Sequence, residues 1–270
     1  MRSILSVLLF LASVQVAVAG LWEDLRFVNI PAGSFEMGSP HEGYRDERPV
    51  HSISISGFLM MDHELTIGEI NRLIKLHPKL ITRKLTNPMD EFMDQPTASS
   101  SDNDQLPVIV TYAEAEAIAA KMSKLLGKTV RLPTEPEWEY AARGGLNQKQ
   151  YPWGSSQDIV GKETVQSLVD RVTDGCALFR PMPVGPVRSI SPSNAYGLYD
   201  MAGHAWEWTS SAYRTYPYKP QEQGRTKKSA SDSIVIRGGG AVIEGCDVRV
   251  ALRGFTRSDS RFGVRFVTEK

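Results

Sequence analysis

Three stretches of the chain carry apolar residues at helical spacing, and each opens on the same signature. Thr66 with Glu69, Thr111 with Glu114 and Thr134 with Glu137 have the spacing of a capping box. In that motif hydroxyl and carboxylate each satisfy a free backbone donor at a helix start. The first box predicts a helix in TIGEINRLIKL. The second opens TYAEAEAIAAKMSKLLG, where Ala115, Ile118, Ala119, Met122 and Leu126 form one stripe before Gly127. In the third, TEPEWEYAARGG, Pro136 falls in the first turn, where a missing N–H costs nothing. Trp138, Ala141 and Ala142 share a face there, and Gly144 stands where a left-handed cap would. The stripes are expected to face a core, and the third helix's glutamates to act as caps and surface charges.

Between the helices lie shorter, β-like runs. FVNIPAGSFEMG and HSISISGFLM alternate or carry β-branched residues, with Gly33, Gly38 and Gly57 marking turns. Asn87 to Gln105 is polar, acidic and Ser/Asp-rich, which predicts a surface loop within one domain. The second half is rich in Gly, Pro and aromatics, with few long periodic runs. An α+β fold with little regular structure in that half follows. No internal repeat is visible.

The 270 residues carry 31 basic and 31 acidic side chains, so a net charge of zero gives no electrostatic reason to expect nucleic acid or an anionic membrane. The start reads as a secretory signal peptide, residues 1–19. Arg2 supplies the positive end, Ile4 to Val16 the apolar core, and Ala17-Val18-Ala19 the cleavage pattern before Gly20. Residues 20–270 are then expected as one exported domain, secreted or periplasmic, with no membrane span after signal cleavage. Cys176 and Cys246 are the two cysteines; in an oxidising compartment they form one disulfide or stay as two buried thiols.

Ordered motifs then point to a family. FVNIPAGSFEMGS, ERPVHSISISGF, LPVIVTYAEAEAIA, RLPTEPEWEYAARGG, YPWG, NAYGLYDMAGHAWEWTSS, IRGGG and GVRF occur in this order. The chain therefore resembles the formylglycine-generating enzyme family, also called the sulfatase-modifying-factor domain, over nearly all of residues 20–270. The resemblance implies a variant of the C-type-lectin fold with low regular secondary structure. It also implies that the Thr134 helix is scaffold.

The family's founding members oxidise a sulfatase cysteine to formylglycine, using oxygen and a copper ion on a cysteine pair. Those positions here hold Ile243 and Val248, and the motif serine is Gly240. Neither aliphatic side chain ligates copper(I), which prefers soft thiolates. The resemblance is thus to a divergent member that does not generate formylglycine by the standard route. Other relatives without the pair include paralogues with no demonstrated catalysis, periplasmic proteins that complete a siderophore chromophore by oxidation, and accessory proteins. An iron site on three histidines would require distant members of His41, His51, His63, His77 and His204 to converge.

Carried over residue by residue, a structural calcium site falls on Asp200, Gly203, Ala205 and Glu207, mixing carboxylates with backbone carbonyls as calcium prefers. A second family site would need Asp174 with partners near Gln166 and Ser167, where the pattern departs. His204 replaces a residue that is usually asparagine and is either a pocket acid–base or a hydrogen-bonding group. Among the tail arginines, Arg253 and Arg257 are candidates for the cleft, against internal salt bridges. Cys246, His204, Arg253 and Arg257 are therefore the candidate catalytic groups. The expected function is oxidative maturation of an exported peptide-like or siderophore-like substrate by an oxygen-dependent oxidase whose redox cofactor the sequence leaves unnamed. The alternative is a non-catalytic binding or accessory module on the same scaffold.

Overall fold

In the computed structural model the capping boxes do what their spacing predicts. The structure describes residues 25–40, 45–85, 103–160, 163–164, 185–189, 192–219, 232–239 and 248–270. Helices α1 (Ile67–Leu76), α2 (Tyr112–Leu126) and α3 (Glu135–Arg143) each have both reciprocal bonds of the box at the N-terminus. Gly127 and Gly144 close α2 and α3 in the left-handed region, at φ 64° and 57°. Ala115, Ile118, Ala119 and Met122 are buried, so the α2 stripe faces the core as expected.

The strands are short and fall into small open sheets. β1 (Phe27–Ile30), β4 (Phe58–Met61), β6 (Val130–Arg131) and β13 (Val267–Thr268) form a four-stranded sheet ordered β1-β4-β13-β6. β9 (Glu207–Ala212), β10 (Ile234–Arg237) and β11 (Arg253–Thr256) form an antiparallel sheet ordered β11-β10-β9. Among the described residues three two-stranded pieces complete the set: β2 (Gly33–Met37) with β3 (His51–Ile55), β5 (Val110–Thr111) with β12 (Arg261–Phe262), and β7 (Ile159–Val160) with β8 (Glu163–Thr164). The architecture is a mixed α+β one with open sheets. It corrects the expected C-type-lectin variant: a loop-rich, weakly periodic sequence predicts short strands, but does not dictate which topology joins them.

Two apolar clusters flank the short sheets. One packs α1 and α2 against Met61, Trp208, Val264 and Phe266. The other packs α3, through Trp138, Ala141 and Ala142, against Ile30, Ile53, Met60 and Val267. Charged groups are buried between strands as well. Glu135 and Glu139 of α3 are fully buried, which corrects their expected place on the surface; only Glu137 serves as the cap. Residues 86–102, most of the predicted surface loop, lie outside the described residues, as do 1–24, which include the signal-like segment.

Candidate functional site

The carried-over calcium segment lies in a turn that leads into β9. Asp200 stands at φ 55°, a left-handed conformation that aspartate tolerates better than most residues, and Gly203 at φ 83°. The Gly203 amide donates to the Gly238 carbonyl at 2.9 Å, fastening the turn to the end of β10. A side chain at Gly238 would approach the Ala205 carbonyl to 2.9 Å, so glycine is what lets the two backbones meet.

Three buried carboxylates converge beneath this turn: Asp200, Glu207 and Glu64, the last from the MDHELT segment between β4 and α1. Sequence reasoning did not single out Glu64. Its signal was there, a charge between apolar Met61 and Leu65 just before a helix cap, but that pattern also fits an exposed turn. The cations among them are Arg265 and His204. Arg265 Nη2 donates to Glu207 Oε1 at 2.9 Å and to the Tyr199 carbonyl at 2.9 Å. Trp138 Nε1 donates to Glu207 Oε2 at 2.9 Å, so both Glu207 oxygens are engaged. His204 Nδ1 lies 2.9 Å from Glu64 Oε1, and its Nε2 2.8 Å from the Gly185 carbonyl. The Arg188 amide donates to Asp200 Oδ2 at 2.5 Å.

Two oxygens are left over. Glu64 Oε2 and Asp200 Oδ1 are buried and have no hydrogen-bond partner. Burial raises the Asp200 carboxyl above its ordinary range, and the neighbouring Glu64 charge raises it further. Burial likewise raises Glu207 in spite of Arg265. Burial opposes ionisation of Glu64 too, but His204 and Arg265 outweigh it and hold Glu64 low. For His204 burial works against the charge, and Glu64, then Asp200, overcome it, raising the imidazole to about 9. Among the described residues, Glu64, Asp200 and His204 are the one group of its kind able to hold a metal ion, with potential ligand atoms within 4.8 Å of one another. This is a carboxylate–histidine cluster, unlike a cysteine-based copper site.

The other candidates are scattered. Arg253 is 5% exposed; its Nε and Nη2 each donate to Glu135 at 2.8 Å, and the rings of Tyr213 and Tyr216 stack on it. It serves an internal ion pair and does not open onto a cleft. Arg257 is exposed, on the turn after β11. Cys176, Cys246, Ile243, Gly240, Gln166, Ser167 and Asp174 lie outside the described residues. Val248, at one of the two copper-ligand positions, is buried. A surface hollow of about 520 Å³ opens elsewhere, between the β2–β3 hairpin and the end of α3, lined by Phe35, Glu36, Tyr140, Asn147 and Tyr196 among others. No described helix is long and apolar enough to cross a membrane.

Comparison with known proteins agrees with this geometry. The inactive C-alpha-formylglycine-generating enzyme 2 of Bos taurus is 29% identical over 247 residues, covering 76% of this chain and 78% of its own length. The structure of PvdO from Pseudomonas aeruginosa superposes with a TM-score of 0.70 at 26% identity, over 90% of this chain and 94% of that one. Treponema denticola variable protein 1, at 20% identity and a TM-score of 0.68, covers 90% of this chain and 95% of its own and shares the fold. These neighbours place the fold with the sulfatase-modifying factors and not with the C-type lectins. Residues 23–270 match the family described as the sulfatase-modifying factor enzyme 1-like domain. The chain belongs to that family, the formylglycine-generating enzyme family, as a divergent member.

Proposed function

We propose that this protein is an exported oxidative maturation factor that uses the family scaffold without the family's copper chemistry. Its substrate is a peptide-like or siderophore-like exported molecule. One observation carries the reading: the family match spans residues 23–270, yet both copper-ligand positions hold aliphatic residues, of which Val248 is packed into the interior. Dioxygen is the proposed acceptor. The substrate loses two electrons and two protons, and dioxygen leaves as hydrogen peroxide. His204 and Arg253 are buried and fully engaged, which favours framework roles for them; Arg257 and Cys246 are the groups proposed to meet substrate.

The same reading includes a calcium ion at the Asp200 turn, held by Asp200, the carbonyls of Gly203 and Ala205, and Glu207. A hard cation suits an all-oxygen donor set. The bare Asp200 Oδ1 supports the fit. Glu207 fits less well, since Arg265 and Trp138 already occupy its oxygens. Export is proposed from the signal-like start, with Gly20 as the mature N-terminus; N-terminal sequencing of the fractionated protein checks it, and an intact Met1 in the cytosol would overturn it.

The activity is tested by incubating purified protein with candidate substrates in air-saturated buffer while following oxygen uptake and product mass. Substrate-dependent uptake with a loss of two mass units supports the oxidase. A sulfatase-type Cys-x-Pro-x-Arg peptide with copper(I) is expected to give no aldehyde. Aldehyde formation that disappears in Cys246→Ser would show a rearranged formylglycine generator instead. The second reading, a non-catalytic binding or accessory module, is favoured by the hollow beside Tyr140 and Tyr196. Binding without oxygen uptake or mass change would support it.

A further inference from the structure

We propose that Glu64, which the family's calcium pattern does not include, is a direct ligand of the cation at the Asp200 turn, and that His204 is the positioning residue that aims it. The inference rests on the calcium reading above, adds Glu64 to its ligands and takes Glu207 out of them, because Arg265 and Trp138 already hold both Glu207 oxygens.

The argument starts from how the oxygens are used. Each of two buried carboxylates has one oxygen tied to an N–H and one left bare. Glu64 Oε1 faces His204 Nδ1 at 2.9 Å, and Asp200 Oδ2 accepts from the Arg188 amide at 2.5 Å. Their partners, Glu64 Oε2 and Asp200 Oδ1, have no hydrogen bond although the residues are 0% and 1% exposed. A buried carboxylate oxygen without a hydrogen bond has given up its hydration, and a cation is one partner that restores what was lost. The Arg265 guanidinium comes no closer to Glu64 Oε2 than 3.7 Å. Two carboxylates, each with one oxygen held by an N–H and one free, and with potential ligand atoms within 4.8 Å of each other, suit two monodentate cation ligands braced by their other partners.

Histidine geometry decides which residue binds. Both neighbours of His204 are acceptors: a carboxylate oxygen at Nδ1 and the Gly185 carbonyl at Nε2. Each ring nitrogen therefore carries a hydrogen and donates it, so neither has a lone pair to offer a metal. His204 closes the cluster without ligating. With oxygen the only donor left, the chemistry is that of a hard ion such as calcium.

The test uses the mature full-length protein, stripped with chelator and titrated with calcium chloride by calorimetry, well below the melting temperature of every variant. Wild type should bind one calcium. Glu64→Gln is near-isosteric and still accepts from His204; it should weaken calcium by roughly a hundredfold or more, beyond the about ten- to hundredfold loss usual for residues that only orient a ligand. Glu207→Gln should weaken calcium less than Glu64→Gln does, since its oxygens belong to Arg265 and Trp138. His204→Asn keeps an N–H for Glu64 and should bind more tightly than His204→Leu, which releases it; equal affinities would reject the positioning role. Should Glu64→Gln fail to fold, Glu64→Asp keeps the charge, shortens the reach and should still weaken calcium about tenfold. Wild-type affinity in either Glu64 variant overturns the inference while calcium itself stands. Loss confined to Glu207→Gln returns the site to the family pattern. No calcium binding by wild type removes both readings together, and zinc binding more tightly than calcium through His204 would overturn the positioning role.

Discussion

Two buried ionic clusters meet at Trp138, and they are built to opposite rules. On one side, Glu135 and Glu139 of α3 face Arg253, Arg237 and Arg143. Glu135 takes both forks of Arg253 and the hydroxyls of Tyr216 and Tyr218. Glu139 takes the Gly38 amide, Arg143 and Arg237. On the other side, Glu207, Glu64 and Asp200 share Arg265 and His204, and two oxygens go unmet. The electrostatics follow. Burial opposes the charge on Glu139, yet its arginines hold its carboxyl below the ordinary range, whereas burial wins at Asp200 and Glu207 and both are raised. Both clusters are equally dry, so burial does not distinguish them. Saturation does: a carboxylate with donors on each oxygen is framework, and one with a bare oxygen is where the cation is proposed to bind.

The largest expected effect breaks the saturated side. Arg253→Met leaves Glu135 buried and without its fork, and should cost about 3–5 kcal/mol in urea unfolding. Arg257→Ala, on the exposed turn, should stay within about 0.5 kcal/mol. A mild Arg253→Met would mean that Arg237, Tyr216 and Tyr218 together can carry Glu135, and the contrast between the clusters would weaken. Next comes removal of the proposed calcium, which would act on the unsaturated side alone. At a free calcium concentration of a hundred times Kd the ion contributes about 2.7 kcal/mol, and chelation should remove it. For a chain of this size each kcal/mol moves Tm by roughly 2–4 °C, which scanning calorimetry resolves. Unchanged Tm on chelation would make the two clusters the same in kind.

The helices were legible because their signals are local. Thr66, Thr111 and Thr134 each find their glutamate three residues on, and a three-residue pattern needs no tertiary context. The Asp200–Glu207 turn was legible only by resemblance, and its partners were not. Glu64 lies 140 positions from His204, and nothing in MDHELT says which distant side chain it will meet. Arg253 shows the same limit from the other direction. An arginine in an apolar tail fits a cleft or an internal pair equally well, and Glu135, 118 positions away, decides it. The lectin topology failed for a related reason: strands of two to six residues have too little pattern to specify their neighbours.

The smallest effect tests whether saturation without full burial behaves like the α3 cluster. Glu137 has both oxygens held by Arg131, at 2.6 and 2.7 Å, but its side chain keeps 14% of its exposure. Burial opposes its ionisation, and Arg131 more than compensates, holding the carboxyl below its ordinary value. A carboxyl depressed in the folded state stabilises the protein above its unfolded pKa, about 4.3, and loses that contribution as pH falls through the folded value. Glu137→Gln retains the capping box, since glutamine caps at N3 as glutamate does, and removes only the charge. It should therefore cost about 1 kcal/mol at pH 7, near the upper end for a partly wet pair with fork geometry. The gap from wild type should narrow as pH drops below about 4 and close once both side chains are neutral. Urea titrations of the two proteins from pH 7 to pH 3 measure it. A gap that persists at pH 3 would mean that glutamine fails as a cap and that the ion pair was never what set the difference.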